Sequence, residues 1–61
     1  MPIIHIEIAR GRTAEQLREL MANVHRAATD SLQVPESSVR ILVHEVEPAL
    51  WFSGGRSLAD R

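Results

Sequence analysis

The chain has no cysteine among its 61 residues, so no disulfide bond can stabilise it. Its three histidines, His5, His25 and His44, form no HxH or HxxxH motif, and we predict that it binds no metal. A chain of this length forms one small domain, here residues 1–61, and buries only about 60% of its unfolded surface. Since neither a disulfide nor a metal supports so small a core, the composition predicts self-association.

Lysine is absent too: all seven basic residues are Arg, and the net charge is −1. The lack of a basic face excludes nucleic acid as a partner. The sequence shows no signal peptide, transmembrane run or lipidation motif, so we expect no membrane contact and a cytoplasmic location. Ser53-Gly54-Gly55 lacks the Lys and the strand-to-helix context of a phosphate-binding loop, and we predict no cofactor. The abundant Arg instead favours recognition of carboxylates.

The apolar residues follow a strand period first and then a helix period. Residues 3–8 predict a strand, with the even-numbered isoleucines on one face. Thr13 and Gln16 have the spacing of a capping box, and an apolar stripe at helical spacing predicts a helix from Ala14 to Leu32. We interpret this stripe as core, and we place His25 on the polar side of the helix.

The remainder of the chain predicts a second strand and a bent segment. Pro35 stops the helix, a strand is expected over residues 39–46, and Pro48 ends it. Residues 50–56 predict an extended piece bent at Gly54-Gly55. The result is an α/β chain with one βαβ unit, whose strands are parallel and whose connection is right-handed. Two such units would pair into a four-stranded sheet, because a sheet of only two strands leaves both edges open.

Proline follows the initiator methionine at the start of the first predicted strand. Removal of Met1, which is usual before a small residue, gives Pro2 a free secondary amine. An α-amino group has a pKa of about 8 in water, and burial or nearby cations lower it by disfavouring the charged form. A neutral amine held in a ring fits the role of general base. The alternative is that Pro2 merely opens a strand, where no amide donor is needed.

Two arginines lie at opposite ends of the predicted strands. Arg40 shares the sheet end with Pro2, because parallel strands begin at the same end. Arg12 follows the first strand and lies roughly 25 Å from Pro2 at about 3.3 Å per residue. If both arginines serve one site, that site lies between subunits. The alternative for each is a solvated surface charge.

Three other residues are each open to more than one interpretation. Arg10 could add a second cation beside Arg12 or face solvent, and either arginine could pair with an acidic residue of the first helical turns. Trp51 and Phe52 are either a hydrophobic lid or a subunit contact. Since neighbours on an extended segment point in opposite directions, we expect one of each.

The joint order of these features resembles the 4-oxalocrotonate tautomerase family over nearly the whole chain. The resemblance rests on Met1-Pro2 before a strand, Gly11-Arg12-Thr13, Gln16, Ser38-Val39-Arg40, and Trp51 before Ser53-Gly54-Gly55. It implies a βαβ subunit with a C-terminal hairpin, the tautomerase fold, and a homohexamer built as a trimer of dimers.

The resemblance also implies an isomerase that moves a proton between carbons of a 2-hydroxydienoate or unsaturated keto acid, as in the degradation of aromatic compounds. Pro2 would be the general base. Arg12 and Arg40, from different subunits, would bind the carboxylates of a dicarboxylate or keto-acid substrate, and Trp51 would occupy the place of the family's usual Phe.

The chain departs from the family pattern in its larger aromatic residue, which suggests a reshaped pocket. Related dehalogenases carry an acidic residue just after that aromatic, and Phe52-Ser53 offers none, so tautomerisation ranks above hydration or dehalogenation. Two alternatives remain open: an inactive binding module of the same fold, or a subunit of a hetero-oligomer whose site a partner chain completes.

Overall fold

One long helix connects two parallel strands in the computed structural model, which describes residues 1–60; Arg61, the last residue of the predicted domain, lies outside them. Strand β1 spans Ile3–Ala9, helix α1 Ala14–Leu32 and strand β2 Arg40–Val46. Two short strands, β3 (Phe52–Ser53) and β4 (Arg56–Ser57), then pair antiparallel. Turns of 3₁₀ helix cover residues 36–38, 48–50 and 58–60. The predicted βαβ architecture with its bent C-terminal segment is confirmed.

The register of the sheet decides which residues share an end. Strands β1 and β2 pair in parallel along their whole length, with Ile3 opposite Arg40 at one end and Ala9 opposite Val46 at the other. The even-numbered isoleucines of β1 are half-buried, and Ile3, His5 and Glu7 on the other face are exposed, as the alternation predicts. Strand β2 begins one residue later than expected, because the Val39 N–H donates to a carbonyl of the preceding 3₁₀ turn.

Local capping interactions set both ends of the helix. The Gln16 N–H donates to Thr13 Oγ1 at 3.0 Å, and the Thr13 N–H donates to Gln16 Oε1 at 2.9 Å, so the predicted capping box is confirmed. At the other end Gln33 takes the left-handed conformation, with φ 54°. The helix therefore ends at Leu32, three residues before Pro35 and at the predicted boundary.

The interpretation of the helical stripe as core holds only in part. Ala27 is exposed and Leu32 is 56% exposed, because a sheet of two strands is narrower than the stripe and leaves one edge of the helix uncovered. The prediction that His25 lies on the polar side of the helix agrees with its acidic neighbour. Its ring is half-buried at the helix edge, with Nε2 3.4 Å from Oε1 of Glu36, because the 3₁₀ turn at residues 36–38 folds back beside it.

The single chain has almost no interior. Within residues 1–60 only Val39 is buried, while several large apolar side chains face outward: Met1, Ile3, Leu32, Leu42, Leu50 and Phe52. The accessible surface is 4659 Å², whereas a folded monomer of this mass exposes about 4,000 Å². The radius of gyration is 14.3 Å, against about 10.5 Å for a chain that folds compactly alone. Much apolar surface is thus left without cover.

Candidate active site

Pro2 and Arg40 meet at one end of the sheet. The Arg40 N–H donates to the Pro2 carbonyl at 3.1 Å, which continues the ladder one step beyond β1. Pro2 needs no amide donor at this place and leaves its ring nitrogen at the sheet end. The residue is half-buried, whereas Met1 before it is 80% exposed. The prediction that Pro2 and Arg40 share an end is confirmed by this bond.

The Arg40 side chain is anchored from one side only. One terminal nitrogen, Nη1, donates to the Ser37 carbonyl at 2.6 Å. A guanidinium carries five N–H donors in a planar fork, so this single bond orients the group and leaves other donors for a carboxylate. The Ser37 carbonyl was not anticipated from the sequence, because a backbone acceptor in a turn has no residue-type signature.

Arg12 lies at the opposite end of the sheet from Pro2. It follows β1 after Gly11, whose φ of 143° suits glycine best, and its side chain is exposed. Among residues 1–60 it has neither a hydrogen-bond partner nor an ion-pair partner. The parallel register keeps it a full strand length from Pro2 within one chain. The structure therefore does not bring these two predicted site residues together in one subunit.

Arg10 behaves differently from its neighbour. Its guanidinium forms ion pairs with Glu47 at 2.5 Å and with Glu45 at 3.6 Å. The backbone N–H of Arg10 donates to the Val46 carbonyl at 2.8 Å. Its acidic partners are therefore Glu45 and Glu47 rather than residues of the first helical turns, and its side chain remains 53% exposed to solvent. Register explains the difference, because β2 ends beside β1 and brings both acidic residues to Arg10. Of the two arginines, Arg12 is the one without an acidic partner among residues 1–60.

Trp51 sits where the chain turns into the C-terminal hairpin. Its N–H donates to the Pro48 carbonyl at 3.2 Å, and its own carbonyl accepts from the Leu58 N–H at 3.0 Å. The indole is half-buried while Phe52 is 73% exposed, which matches the expectation of opposite directions. Position 50 lies in a 3₁₀ turn rather than in the predicted extended piece.

The hairpin bends at the predicted glycine pair. Gly54 and Gly55 have φ of 63° and 79°, a region that side-chain-bearing residues rarely adopt and that two-residue hairpin turns use. This turn brings Ser57 back beside Pro48, where its hydroxyl donates to the Pro48 carbonyl at 2.9 Å. No motif in the sequence indicated a role for Ser57, because its partner becomes visible only once the hairpin is closed.

Concave surfaces of the described chain lie along the helix. One of about 420 Å³ is lined by Glu15, Gln16, Glu19 and Leu20, and it includes neither Pro2 nor the two arginines. Within residues 1–60, no group of three or more His, Cys, Asp or Glu side chains is placed to hold a metal ion. In the same part of the chain, no helix combines the length and the apolarity needed to cross a bilayer.

Known proteins resemble this chain along nearly all of it. The Tautomerase family model, described as a tautomerase enzyme, matches residues 2–61. A 2-hydroxymuconate tautomerase from Stutzerimonas stutzeri is 39% identical over 57 residues, which cover 93% of this chain and 90% of the relative. A probable tautomerase from Ralstonia nicotianae is 36% identical over 55 residues, covering 90% and 79%.

Solved structures share the fold at similar identity. A chain of a heterohexamer 4-oxalocrotonate tautomerase from Chloroflexus aurantiacus has a TM-score of 0.94 at 37% identity, covering 98% of this chain and 97% of that one. A 4-oxalocrotonate tautomerase homologue of the tomaymycin biosynthetic pathway, TomN, has a TM-score of 0.95 at 37% identity, covering 98% and 92%.

Proposed function

This chain belongs to the tautomerase family and is an isomerase of the 4-oxalocrotonate tautomerase type, and on that premise we propose how its residues act. Residues 1–61 form a single tautomerase domain. Its substrate is a 2-hydroxydienoate or an unsaturated keto acid bearing carboxylates. Pro2, freed of Met1, is the general base, Arg12 and Arg40 bind the carboxylates, and Trp51 forms a wall of the pocket.

The bond between the Arg40 N–H and the Pro2 carbonyl carries the proposal. It fixes the Pro2 backbone at the same end of the sheet as Arg40, whose side chain is itself anchored. The exposure of Met1 supports its removal by an aminopeptidase, which would release the Pro2 nitrogen. A base and a cation then share one end of the sheet.

Proton abstraction next to a carbonyl produces an enolate whose charge develops on an oxygen remote from the base. Cationic donors at that oxygen or at a conjugated carboxylate stabilise the transition state more than the ground state. The same cations disfavour protonation of the Pro2 amine, which keeps it in the basic form. After transfer, the protonated amine returns the proton to a different carbon of the conjugated system, and the amine is regenerated.

The site is completed by a second subunit. Arg12 lies roughly 25 Å from Pro2 at about 3.3 Å per residue of strand, which no side chain spans. The uncovered apolar surface and the open strand edges both favour association. Paired subunits extend the sheet to four strands with helices on one face, and three such pairs give a homohexamer in which Arg12 reaches the Pro2 of a neighbour.

The oligomeric state is the first expected result. We expect a hexamer in sedimentation velocity and native mass spectrometry at micromolar concentration, because the single chain has too little buried surface to be stable. Dilution should cause loss of secondary structure together with dissociation, since the monomer lacks a core. A stable, folded monomer would contradict the shared site.

Turnover of dienol acids is the direct test of the activity. The purified chain, with loss of Met1 verified by intact mass, should convert 2-hydroxydienoates to conjugated keto acids in an ultraviolet absorbance assay without added metal or cofactor. Monoacid and diacid substrates of equal length form a matched pair, and the diacid should have the higher kcat/KM because two arginines bind it.

A hetero-oligomeric subunit is the second candidate, since one similar structure is a heterohexamer. A chain that is processed correctly, forms a hexamer alone and still turns over no dienol acid would favour that candidate over the homohexameric enzyme.

A further inference from the structure

The Ser57 hydroxyl links two parts of the C-terminal segment. As a donor it bonds the Pro48 carbonyl at 2.9 Å, and as an acceptor it receives the Ala59 N–H at 3.0 Å. The residue is half-buried, and it lies directly opposite Phe52 in the hairpin. One side chain thereby connects the 3₁₀ turn before the hairpin to the 3₁₀ turn after it.

Trp51 is bonded to the same two turns. Its N–H donates to the Pro48 carbonyl that also accepts from Ser57, and its carbonyl accepts from Leu58, the residue next to Ser57. The Trp51 N–H bond lies within the first turn, whereas the bond of its carbonyl holds only while the two turns stay together. The hairpin itself has just two residue pairs and a glycine turn, and so short a hairpin is marginal in water.

We propose that Ser57 is a positioning residue for Trp51: its hydroxyl closes the segment over residues 48–59 and thereby fixes the indole as a wall of the substrate pocket. This inference rests on the proposed function for the place of Trp51 in the pocket, but its structural part does not. Without the hydroxyl, the Ala59 N–H and one acceptor position of Pro48 turn to water. Within residues 1–60, the two turns are then held together only by the Leu58–Trp51 backbone bond and the short hairpin ladder. The base Pro2 and the cation Arg40 are untouched by that change.

The experiment compares the processed full-length protein with Ser57→Ala and Ser57→Thr. Trp51 is the only Trp and the chain has no Tyr, so its fluorescence reports on this segment alone. Ser57→Ala should shift the emission to longer wavelength and increase quenching by acrylamide. Its KM should rise roughly three- to tenfold, the loss expected from one or two neutral hydrogen bonds, while kcat stays nearly unchanged. Ser57→Thr keeps the hydroxyl and should restore both readouts.

Ser31→Ala is the matched control, because Ser31 is exposed on the helix, far along the chain from the hairpin. Unchanged emission and quenching in Ser57→Ala would overturn the inference whatever the kinetics. Altered fluorescence with an unchanged KM would support the role of Ser57 in fixing the segment. It would also show that Trp51 does not line the pocket, which contradicts that part of the proposed function. A fall in kcat that Ser57→Thr does not restore would also overturn the inference, since it would mean a general loss of structure.

Discussion

Blocking the Pro2 amine is expected to abolish isomerisation. A chain with one alanine inserted between Met1 and Pro2 begins with Ala-Pro after Met1 is removed. Its proline nitrogen is then part of an amide and has no basic lone pair. A general base contributes roughly 10²- to 10⁴-fold to the rate, and loss of turnover by at least that factor is expected. Ultraviolet assay of dienol turnover, with intact mass of each preparation, measures the effect.

Pro2→Ala tests whether the proline ring contributes to activity beyond supplying a terminal amine. The variant keeps a primary amine at the chain terminus but loses the rigid ring, so activity should fall substantially without vanishing. In the unmodified enzyme kcat/KM should fall as the pH is lowered through the pKa of the amine, because the protonated form cannot accept a proton. Hexamer mass and circular dichroism serve as controls. Full turnover by a chain shown to carry an acylated Pro2 would refute the mechanism.

Removal of either site arginine is expected to produce the other large effect. Arg12→Ala and Arg40→Ala should each lower kcat/KM on a diacid substrate by one to several orders of magnitude, since a charge-assisted hydrogen bond contributes about 1.5–3 kcal/mol and each guanidinium makes more than one. Arg18→Ala is the matched control, because Arg18 is exposed on the helix. Equal activity of all three variants would show that Arg12 and Arg40 are surface charges that do not bind the substrate.

Mixed oligomers decide whether Arg12 comes from a neighbour. Neither the Arg12→Ala chain nor the Pro2-blocked chain should be active alone. When the two are unfolded together and refolded, some sites combine an intact Pro2 from one chain with an intact Arg12 from the other, and partial activity should return. No recovery in oligomers shown by native mass spectrometry to be mixed would place both groups in one subunit and contradict the shared site.

The helix ends, the hairpin bend and the alternation of β1 could be predicted from the sequence because the interactions that form them are local. The capping box joins Thr13 to a residue three positions later, and the helix ends at the predicted residue. The hairpin bend depends on two adjacent glycines that tolerate positive φ. Alternation over β1 likewise predicted which isoleucines share the half-buried face. The end of the sheet shared by Pro2 and Arg40 followed from these elements and from the rule that a βαβ unit is parallel.

Only the tertiary structure decided which side chains are held and which are free. Arg10 and Arg12 look alike in the sequence, but the register of the sheet brings the acidic residues at the end of β2 to Arg10 and leaves Arg12 unpaired within residues 1–60. The role of Ser57 likewise depends on a bond to Pro48, nine positions away, which exists only when the hairpin is closed. No periodic pattern in the sequence predicts either pairing. Contacts between distant segments are set by register and turn geometry rather than by neighbouring residues.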